Sequence, residues 1–565
     1  MRNRKTSVGL TVHAIAGTAV VMLGLDLTEA ARVGCLGFAI KRERLDTGEV
    51  EWLRGMKCFA ATEDDGGDGD GFRSNKHPFQ SFQWADYAAR PDTEYIFEVT
   101  ALYGTPENLT DGAKVRVKIK TEAELGALHS VFFNRGAAAS QAYAKRFNNK
   151  YPDDPANGPG FNAAYKWMSR GLFESLTNFL ERATDNNFTL RAAIYEFRWP
   201  WTHEAFKAAS VRKADVKVIY DAIDPDTAKK NRIAVEIAGI HDLCLERTQG
   251  TIMHNKFVVL LDHGNPVAVW TGSTNQTENG IFGHSNVGHI VEDAAIAQKY
   301  LDYWTELIRD RDDIDAWVEA NNPVPTFPLP QNLTAVFSPH ESLAVLDLYA
   351  KIADGASKAL FMTFPFGMHK KFQAVYEKET ATPADQRKVL NLALMEKEGN
   401  GKALAQGKID VQRIRRLSNV IVALGSSIKM NVFDRWVREM PKPTRNAGVL
   451  WVHTKYMLVD PLSDDPVVVA GSANFSKAST DDNHENMLVI KGDLRAADIY
   501  LGEFMRLHAH YAFRETVAKN WNNNQVWRPQ FLSPDATWQD LGYYTPRTER
   551  FMKRKYFAGL HSDVN

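Results

Sequence analysis

Two short stretches of the chain place a histidine and a lysine at the same distance from an asparagine-containing turn. The first stretch holds His254 and Lys256, and the second holds His453 and Lys455. Each histidine precedes the glycine of a Gly-Ser-x-Asn turn by 18 positions (272 − 254 and 471 − 453). Two matches at equal spacing and in the same local setting indicate an internal duplication.

These residue types can together cleave a phosphodiester. A neutral imidazole can attack phosphorus and form a covalent phosphohistidine, and a second, protonated imidazole can donate a proton to the leaving oxygen. The lysines and the polar side chains of the turns can hold the non-bridging oxygens. Those turn residues are Ser273, Asn275, Ser472 and Asn474. Because each copy supplies only half of this set, we expect both to meet at one phosphate.

Both stretches resemble the paired HKD motifs of the phospholipase D superfamily, in which HxK is followed by four residues, an Asp and a GSxN turn. The second copy matches fully, with Asp460 as the acid. In the first copy that position holds Leu261 and Asp262 follows one place late, an offset that a β-bulge would absorb. The resemblance covers residues 125–515. It implies a duplicated α/β/α bilobal fold, an active site between the lobes, no metal and no organic cofactor.

The resemblance also implies an acid after the turn that hydrogen-bonds a catalytic histidine. Glu485 occupies this position in the second copy, and Asn286 occupies it in the first. A carboxylate beside an imidazole favours its protonated form. We therefore expect Glu485 to lie next to His453 and to make it the resting proton donor, with His254 as the neutral nucleophile.

Taken singly, each motif has an ordinary structural interpretation. A lone HxK on a strand is usually a structural histidine beside a surface lysine, and a lone GSxN is a common turn. The pair in register favours catalysis. A metal site is disfavoured because lysine is not a metal ligand and neither motif has the His, Cys and carboxylate spacing of a zinc site.

Three functions remain open: two enzymatic activities that differ in substrate, and one non-catalytic role. A formal net charge of −1 and a pI near 7.0 do not require the basic surface of a nucleic-acid binder. Together with aromatic residues near the expected site, this favours a phospholipid headgroup, hydrolysed by water or exchanged onto an alcohol. Those aromatics are Trp199, Trp201, Phe364 and Phe366. The run at 471–476 also resembles nuclease members, which keeps DNA or RNA as the alternative. A non-catalytic binding protein is the third, against which the intact histidines and lysines argue.

The length of 565 residues predicts several domains. Residues 1–124 read as short alternating strands, which predicts a β-sandwich, and residues 91–102 resemble the later strands of a fibronectin type III domain. The acidic, glycine-rich run 63–71 is typical of a mobile hairpin tip. The apolar run 8–25 suggests a signal peptide, but residues 10–27 read better as two strands turning near Gly17.

The pattern changes to alternating strands and helices from residue 125. Residues 125–320 form the first half, with a mostly parallel sheet covered on both faces. A proline-rich linker at 321–334 leads to the second half, 335–515, in which 429–433 is an expected strand. The charged insertion 377–416 reads as helical and exposed, with no counterpart in the first half. An aromatic-rich tail, 516–565, is expected to pack on the catalytic region.

Cysteine usage and hydropathy bear on location. The three cysteines are too few and too scattered for a disulfide framework and suit a reducing compartment. No later segment is long and apolar enough to span a membrane. A cytoplasmic location is favoured, with a secreted or periplasmic one as the alternative. Peripheral contact with a membrane stays open, and so does the oligomeric state.

Overall fold

The computed structural model describes residues 1–63, 71–136, 140–148, 150–378, 389–399, 403–425, 451–522 and 531–560. Most of the expected hairpin tip at 63–71, the expected strand at 429–433 and parts of the 377–416 insertion lie outside the described residues. Within the described part of the chain, no helix combines the length and hydropathy needed to span a bilayer.

The N-terminal region is built from strands. Their bounds are β1 Arg2–Ser7, β2 Leu10–Ala16, β3 Val21–Leu27, β4 Gly37–Arg44, β5 Glu49–Trp52, β6 Arg54–Gly55, β7 Phe72–Arg73, β8 Gln83–Asp86, β9 Glu94–Thr105 and β10 Asn108–Lys120. They form two four-stranded antiparallel sheets, β1-β2-β3-β8 and β10-β9-β4-β5, and the small β6-β7 pair. Apolar side chains from the two larger sheets share one buried cluster. The predicted pair of strands around Gly17 is confirmed as β2 and β3.

The first half of the catalytic region contains a seven-stranded sheet. Its strands are β11 His129–Phe133, β12 Phe188–Ile194, β13 Asp215–Asp221, β14 Cys244–Arg247, β15 Lys256–Asp262, β16 Asn265–Gly272 and β17 Val287–Val291. Its helices are α1 Ser140–Phe147, α2 Ala163–Ser169, α3 Leu172–Glu181, α4 Pro200–Val211, α5 Pro225–Ala238, α6 Ala294–Leu307 and α7 Ile314–Asn321. The strand order is β11-β17-β16-β15-β12-β13-β14.

The second half repeats this plan with the order β18-β24-β23-β22-β19-β20-β21. Its strands are β18 Asn332–Ser338, β19 Ala359–Phe364, β20 Leu390–Met395, β21 Val420–Leu424, β22 Tyr456–Val459, β23 Val467–Gly471 and β24 Glu485–Lys491. Its helices are α8 Ala344–Asp354, α9 Lys370–Glu377, α10 Leu404–Ile414, α11 Leu494–Asn522 and, in the tail, α12 Glu549–Phe557. The equal strand orders agree with the duplication predicted from the motifs.

The prediction of mostly parallel sheets is wrong. In each half only two pairings are parallel, β12 with β13 and β13 with β14, and their counterparts β19 with β20 and β20 with β21. The other pairings are antiparallel. The physical reason lies in tight connections, since β15 and β16 join through His263 and Gly264, both with positive φ, and such a two-residue turn reverses the strand.

Hydrophobic clusters place the two sheets around shared helices. One cluster takes buried residues from both sheets and from α6 and α11, which lie between them. A second cluster lies under α3 to α5 of the first half, and a third lies under α8 to α10 of the second. The catalytic strands of the two halves therefore face a common, well-packed middle layer.

Two further expectations need correction. Part of the insertion is not exposed, because Leu390–Met395 forms the fully buried strand β20, the counterpart of β13. A short apolar run reads equally as helix or as buried strand, which explains the error. The tail packs on the N-terminal sheets as well as on the second half: the indole Nε1 of Trp538 donates to Cys35 O (2.9 Å), while Phe557 stacks near Phe361.

Candidate active site

Each motif histidine lies just before a central strand, where its backbone is held by the opposite half. His254 N donates to His484 O, and His484 N donates to Ile252 O, both at 2.9 Å. The mirrored contacts join the other histidine to the first half: His453 N donates to Ser285 O (3.3 Å), and Ser285 N donates to Trp451 O (2.7 Å). These paired bridges fix the two histidines relative to each other across the seam.

Two buried acids brace the segments that precede the histidines. Asp221 Oδ1 at the end of β13 accepts from Met253 N (2.8 Å), and Glu396 Oε2 after β20 accepts from Val452 N (2.8 Å). Burial raises the pKa of Asp221 to about 6, although backbone donors including Met253 N oppose the shift. Neither residue was predicted from the sequence; their signal is an acid at the end of a buried strand.

Both histidines line one cleft of about 920 Å³. Asn275 and Asn474 of the two Gly-Ser-x-Asn turns line it as well. The predicted convergence of residues 199 positions apart (453 − 254) is therefore met in the fold. The cleft is also lined by Tyr195, Glu196, Arg198, Trp199, Lys230, Glu278, His284, Phe366, Ser476, Ser479 and Asn483.

The partners of the histidines cross the seam, so the predicted contact between Glu485 and His453 is wrong. His254 Nδ1 lies 2.9 Å from both carboxylate oxygens of Glu485. His453 Nδ1 lies 2.8 Å from Asn286 Oδ1. The reason is the backbone bridge described above, because it brings the start of β24, where Glu485 lies, against His254 of the other half.

The hydrogen-bond network fixes which imidazole nitrogen is free. Asn286 Nδ2 donates to Gly280 O (2.6 Å), so its Oδ1 is the atom that faces His453. Ser273 Oγ donates to the same Oδ1 (2.8 Å). Nδ1–H of His453 therefore donates to Asn286, and Nδ1–H of His254 donates to Glu485. In both rings Nε2 is left for chemistry.

Electrostatics in the cleft disfavour positive charge. Burial lowers the pKa of His254 to about 4 against the opposing effect of Glu485, and it lowers the pKa of His453 well below 6.5, with Lys455 and His284 adding to the effect. Burial alone would raise the pKa of Glu485, yet His254 and Lys256 hold it below its ordinary value. An anion entering the cleft would be stabilised by these groups and would raise the pKa of both imidazoles.

The two motif lysines differ in their surroundings. Lys256 Nζ donates to His254 O and lies 5.0 Å from the centre of the Tyr195 ring. Lys455 Nζ is fully buried and has no hydrogen-bond partner among the described residues. Burial lowers the pKa of Lys256 to about 7 and that of Lys455 well below 10.5. An unpartnered buried ammonium next to the cleft is suited to bind an anion.

The turn serines lie behind the site rather than in it. Ser273 and Ser472 are fully buried. Ser273 Oγ holds the side chain of Asn286, whereas Ser472 Oγ bonds the backbone of Asn486, the residue after Glu485. The serines are therefore placed for support rather than for the phosphate contact expected of them, whereas Asn275 and Asn474 line the cleft.

The two motif acids do not belong to the cleft, which corrects their predicted roles. Asp460 follows β22, at the strand's far end from His453. Its carboxylate accepts from the backbone of residues 357–359 and from Ser357 Oγ at 2.7–2.9 Å. Asp262 lies at the exposed end of β15 and contacts His263 Nδ1 (2.6 Å). The predicted β-bulge in the first copy is confirmed by a register shift between Leu260 and Leu261.

Of the four aromatics expected near the site, two line the cleft. Trp199 and Phe366 do so, whereas Phe364 is buried in the core of the second half and Trp201 packs with Tyr165 and Phe161. His284, whose ring centre lies 5.8 Å from that of His453, was missed by the sequence analysis. Within the described residues, no group of three or more His, Cys, Asp or Glu is arranged to hold a metal ion.

Comparison with known protein families gives a match in two stretches, each of which contains one of the two motifs. A family model described as "Cardiolipin synthase, PLD-like domain" matches residues 176–308 and 407–508. No curated protein matches the chain.

Three solved structures resemble the chain at low identity. Phosphatidylserine synthase from Haemophilus influenzae is 12% identical, with 63% of this chain and 91% of that chain covered and a TM-score of 0.42. Nuc from Salmonella typhimurium, a phospholipase D family member, is 22% identical, with coverages of 25% and 89% and a TM-score of 0.22. Yeast tyrosyl-DNA phosphodiesterase is 12% identical, with coverages of 55% and 84% and a TM-score of 0.32. At these TM-scores the likenesses carry no argument about substrate. The matched stretches each contain one histidine–lysine pair, so the chain carries a PLD-like domain in two matched parts.

Proposed function

We propose that the chain is a phosphodiesterase that acts through a covalent phosphohistidine, hydrolysing phospholipid headgroups or transferring them to an alcohol. The observation that supports this best is the cleft itself. His254 and His453 line it together, each Nδ1 is held by the opposite half, and neither Nε2 has a hydrogen-bond partner among the described residues. Two imidazoles with different partners are what nucleophilic attack and proton donation to a leaving group require.

In this proposal His254 is the nucleophile. Its Nε2 attacks phosphorus, and the bond to the leaving oxygen breaks as His453 Nε2–H gives that oxygen a proton. The imidazole ring gains positive charge on phosphorylation, and Glu485 at 2.9 Å from its Nδ1 stabilises that charge. Water or an alcohol then attacks the phosphohistidine, gives its proton back to His453 and releases His254. The two roles are those expected from the sequence, but the reason differs. Glu485 stabilises the charged phosphohistidine of His254 instead of the protonated form of His453.

The remaining side chains would hold the phosphate. Lys256 and Lys455 neutralise the non-bridging oxygens, and Asn275 and Asn474 donate from the cleft wall. Binding of the anion also supplies the proton donor: His453 is neutral in the empty cleft, and the phosphate charge raises its pKa. Asp221 and Glu396 keep the histidine-bearing segments in place.

The lining of the cleft supports a lipid headgroup over a nucleic acid. Away from the motif residues and His284, its described charged side chains are two acids and two bases, Glu196, Glu278, Arg198 and Lys230. Glu196 also pairs with Arg198. Such a rim lacks the excess of positive charge that tracks a phosphate backbone. Trp199 and Phe366 add apolar surface beside it.

The domain plan is part of the proposal. Residues 1–124 form a β-sandwich of fibronectin type III type that positions or binds, and residues 125–320 and 335–515 form the two halves around the linker 321–334. The shared buried cluster of the two N-terminal sheets and the repeated strand order support these bounds. In the tail 516–565, the described residues Trp538 and Phe557 pack on the N-terminal sheets and on the second half.

A purified-protein assay in EDTA tests the function. We expect headgroup release from phosphatidylcholine vesicles, no nicking of plasmid DNA, and loss of turnover in both His254→Ala and His453→Ala. His241→Ala, at an exposed histidine, is the matched control and should retain full turnover. Nicking without headgroup release would move the assignment to a nuclease, and inactivity on both substrates would favour a non-catalytic binding protein. Wild-type protein that is denatured at alkaline pH during turnover and carries the phosphatidyl group on His453 would reverse the two roles.

A further inference from the structure

A second cavity, of about 790 Å³, lies where the N-terminal sheets meet the first half and α11. Its walls come from the loops at 17–20 and 87–91, the end of β11, and helices α1, α2 and α11. It shares no lining residue with the histidine cleft. Its volume falls in the range of roughly 300–1,000 Å³ that is typical of small-molecule sites.

Positive charge is in excess in this second cavity. Five basic side chains line it, against two acidic ones, Glu124 and Glu503. The bases are Arg90, Arg135, Lys145, Arg146 and Arg170. Glu503 is already engaged in ion pairs with Arg170 (2.6 Å) and Arg506 (2.5 Å). The carboxylates of the lining therefore leave most of the guanidinium charge unneutralised.

Arg135 is held in place by its side chain and by its backbone. Its Nη1 donates to Trp167 O (3.0 Å), and its guanidinium carbon lies 4.6 Å from the centre of the Trp167 ring. Its backbone is held at both ends, since N donates to Met168 O and O accepts from Arg506 Nη2. No carboxylate among the described residues forms an ion pair with it. The pKa of Arg135 is lowered to about 9 by burial and by the nearby charges of Arg170, Arg506 and Arg146. Arg135 therefore stays charged at neutral pH in surroundings that disfavour its charge.

We propose that this second cavity binds a phosphate-bearing anion of two or more charges. The planar fork of a guanidinium matches phosphate oxygens in pairs, and Arg135 presents that fork already oriented by Trp167. Arg90 and Arg146 at the exposed mouth supply further charge. Apolar walls from Val131, Trp167 and Ile499 leave room for an organic group. The ligand is a soluble organic phosphate or the headgroup of a phosphomonoester lipid, and this inference does not depend on the catalytic proposal.

Calorimetric titration with inorganic pyrophosphate tests the proposal on the full chain. We expect binding at this cavity beside any binding in the histidine cleft. Arg135→Gln and Arg146→Gln should weaken that binding about tenfold each, the loss expected for a charge-assisted hydrogen bond or close ion pair. Arg311→Gln, at an exposed arginine outside both cavities, is the charge-matched control and should bind as the wild type does.

Vesicle flotation separates the two sources of the phosphate group. Arginine-dependent flotation with phosphatidylcholine vesicles that contain phosphatidic acid, but not with phosphatidylcholine alone, would assign a lipid headgroup. Pyrophosphate binding without such flotation would assign a soluble phosphate. If Arg135→Gln lowers the melting temperature, the exposed Arg146→Gln decides alone. Wild-type affinity for both probes in Arg146→Gln and in folded Arg135→Gln would overturn the proposal.

Discussion

The two halves of the catalytic region share one strand order but differ in what holds each histidine. His254 of the first half faces a carboxylate, Glu485, whereas His453 of the second half faces a neutral amide, Asn286. Each partner is supplied by the other half. A duplicated backbone can thus place two imidazoles symmetrically, while one substitution at an equivalent position makes their charge preferences unequal.

The same comparison extends to the residues around the histidines. Asp460 binds the backbone at residues 357–359, whereas Asp262, one position out of register, is exposed at the strand end. Lys256 has a carbonyl partner and a ring beside it, whereas Lys455 has no hydrogen-bond partner among the described residues. Duplication therefore preserved the fold more strictly than the polar contacts.

The largest effect is expected from removing the charge at Glu485. Glu485→Gln keeps the size of the side chain but loses the anion that stabilises a charged His254, so turnover should fall about a hundredfold. The carboxylate raises the pKa of His254, which burial lowers to about 4. Since a nucleophile must be unprotonated, the acid limb of the kcat/KM profile should move to lower pH in the variant. Steady-state kinetics across pH measure both changes.

Asn286→Ala is the matched change in the other half. It removes a neutral acceptor rather than a charge, so its cost should be smaller and should not move the acid limb set by His254. A larger loss in Asn286→Ala than in Glu485→Gln, with the acid limb unmoved in both, would contradict the roles proposed for the two imidazoles.

A second contrast concerns stability rather than rate. Asp460→Ala leaves three backbone N–H groups at residues 357–359 without their acceptor, which should lower the free energy of unfolding by roughly 2 kcal/mol. Asp262→Ala removes only an exposed contact with His263, so its effect should stay within about 0.5 kcal/mol. Urea unfolding of both variants measures the difference. Equal losses would mean that the acid of the first copy anchors the fold as well.

The convergence of the two histidines could be predicted from the sequence because each motif is recognisable from a short stretch of residues. The motifs repeat with identical spacing, and a phosphodiester needs both sets at one phosphorus atom. The asymmetry of Glu485 and Asn286 was also visible as a difference in residue type. Which histidine each one contacts was not visible, because that depends on the backbone bridge between 252–254 and His484, a contact between residues 230 or more positions apart.

The pairing direction of the strands and the roles of the two supporting acids could not be predicted from the sequence, for other reasons. Hydrophobic runs indicate burial but not pairing direction, so the antiparallel β15-β16-β17 arrangement depends on noticing the turn at His263 and Gly264. Asp221 and Glu396 carry no motif. Their role arises only when parallel strands bring their ends to the same edge as the histidines.

The last contrast concerns the lysines, whose removal should change the free energy of unfolding with opposite sign in the two halves. Lys455→Met should raise the free energy of unfolding by about 1 kcal/mol, because the folded protein no longer buries an unpartnered ammonium. Lys256→Met loses the bond to His254 O and the contact with Tyr195, so it should be neutral or destabilising. Both variants should lose turnover, since both lysines are proposed to hold the phosphate.

The pH dependence of unfolding identifies the cause of that difference. Burial holds the pKa of Lys455 in the folded protein well below the 10.5 of the unfolded chain. Between these two values the unfolded chain binds more protons, so the wild type gains stability as the pH rises towards 10.5. Lys455→Met lacks this gain, and its advantage should shrink as the pH increases. An advantage that stays constant with pH would mean that better packing by methionine, and not the lost charge, stabilises the variant.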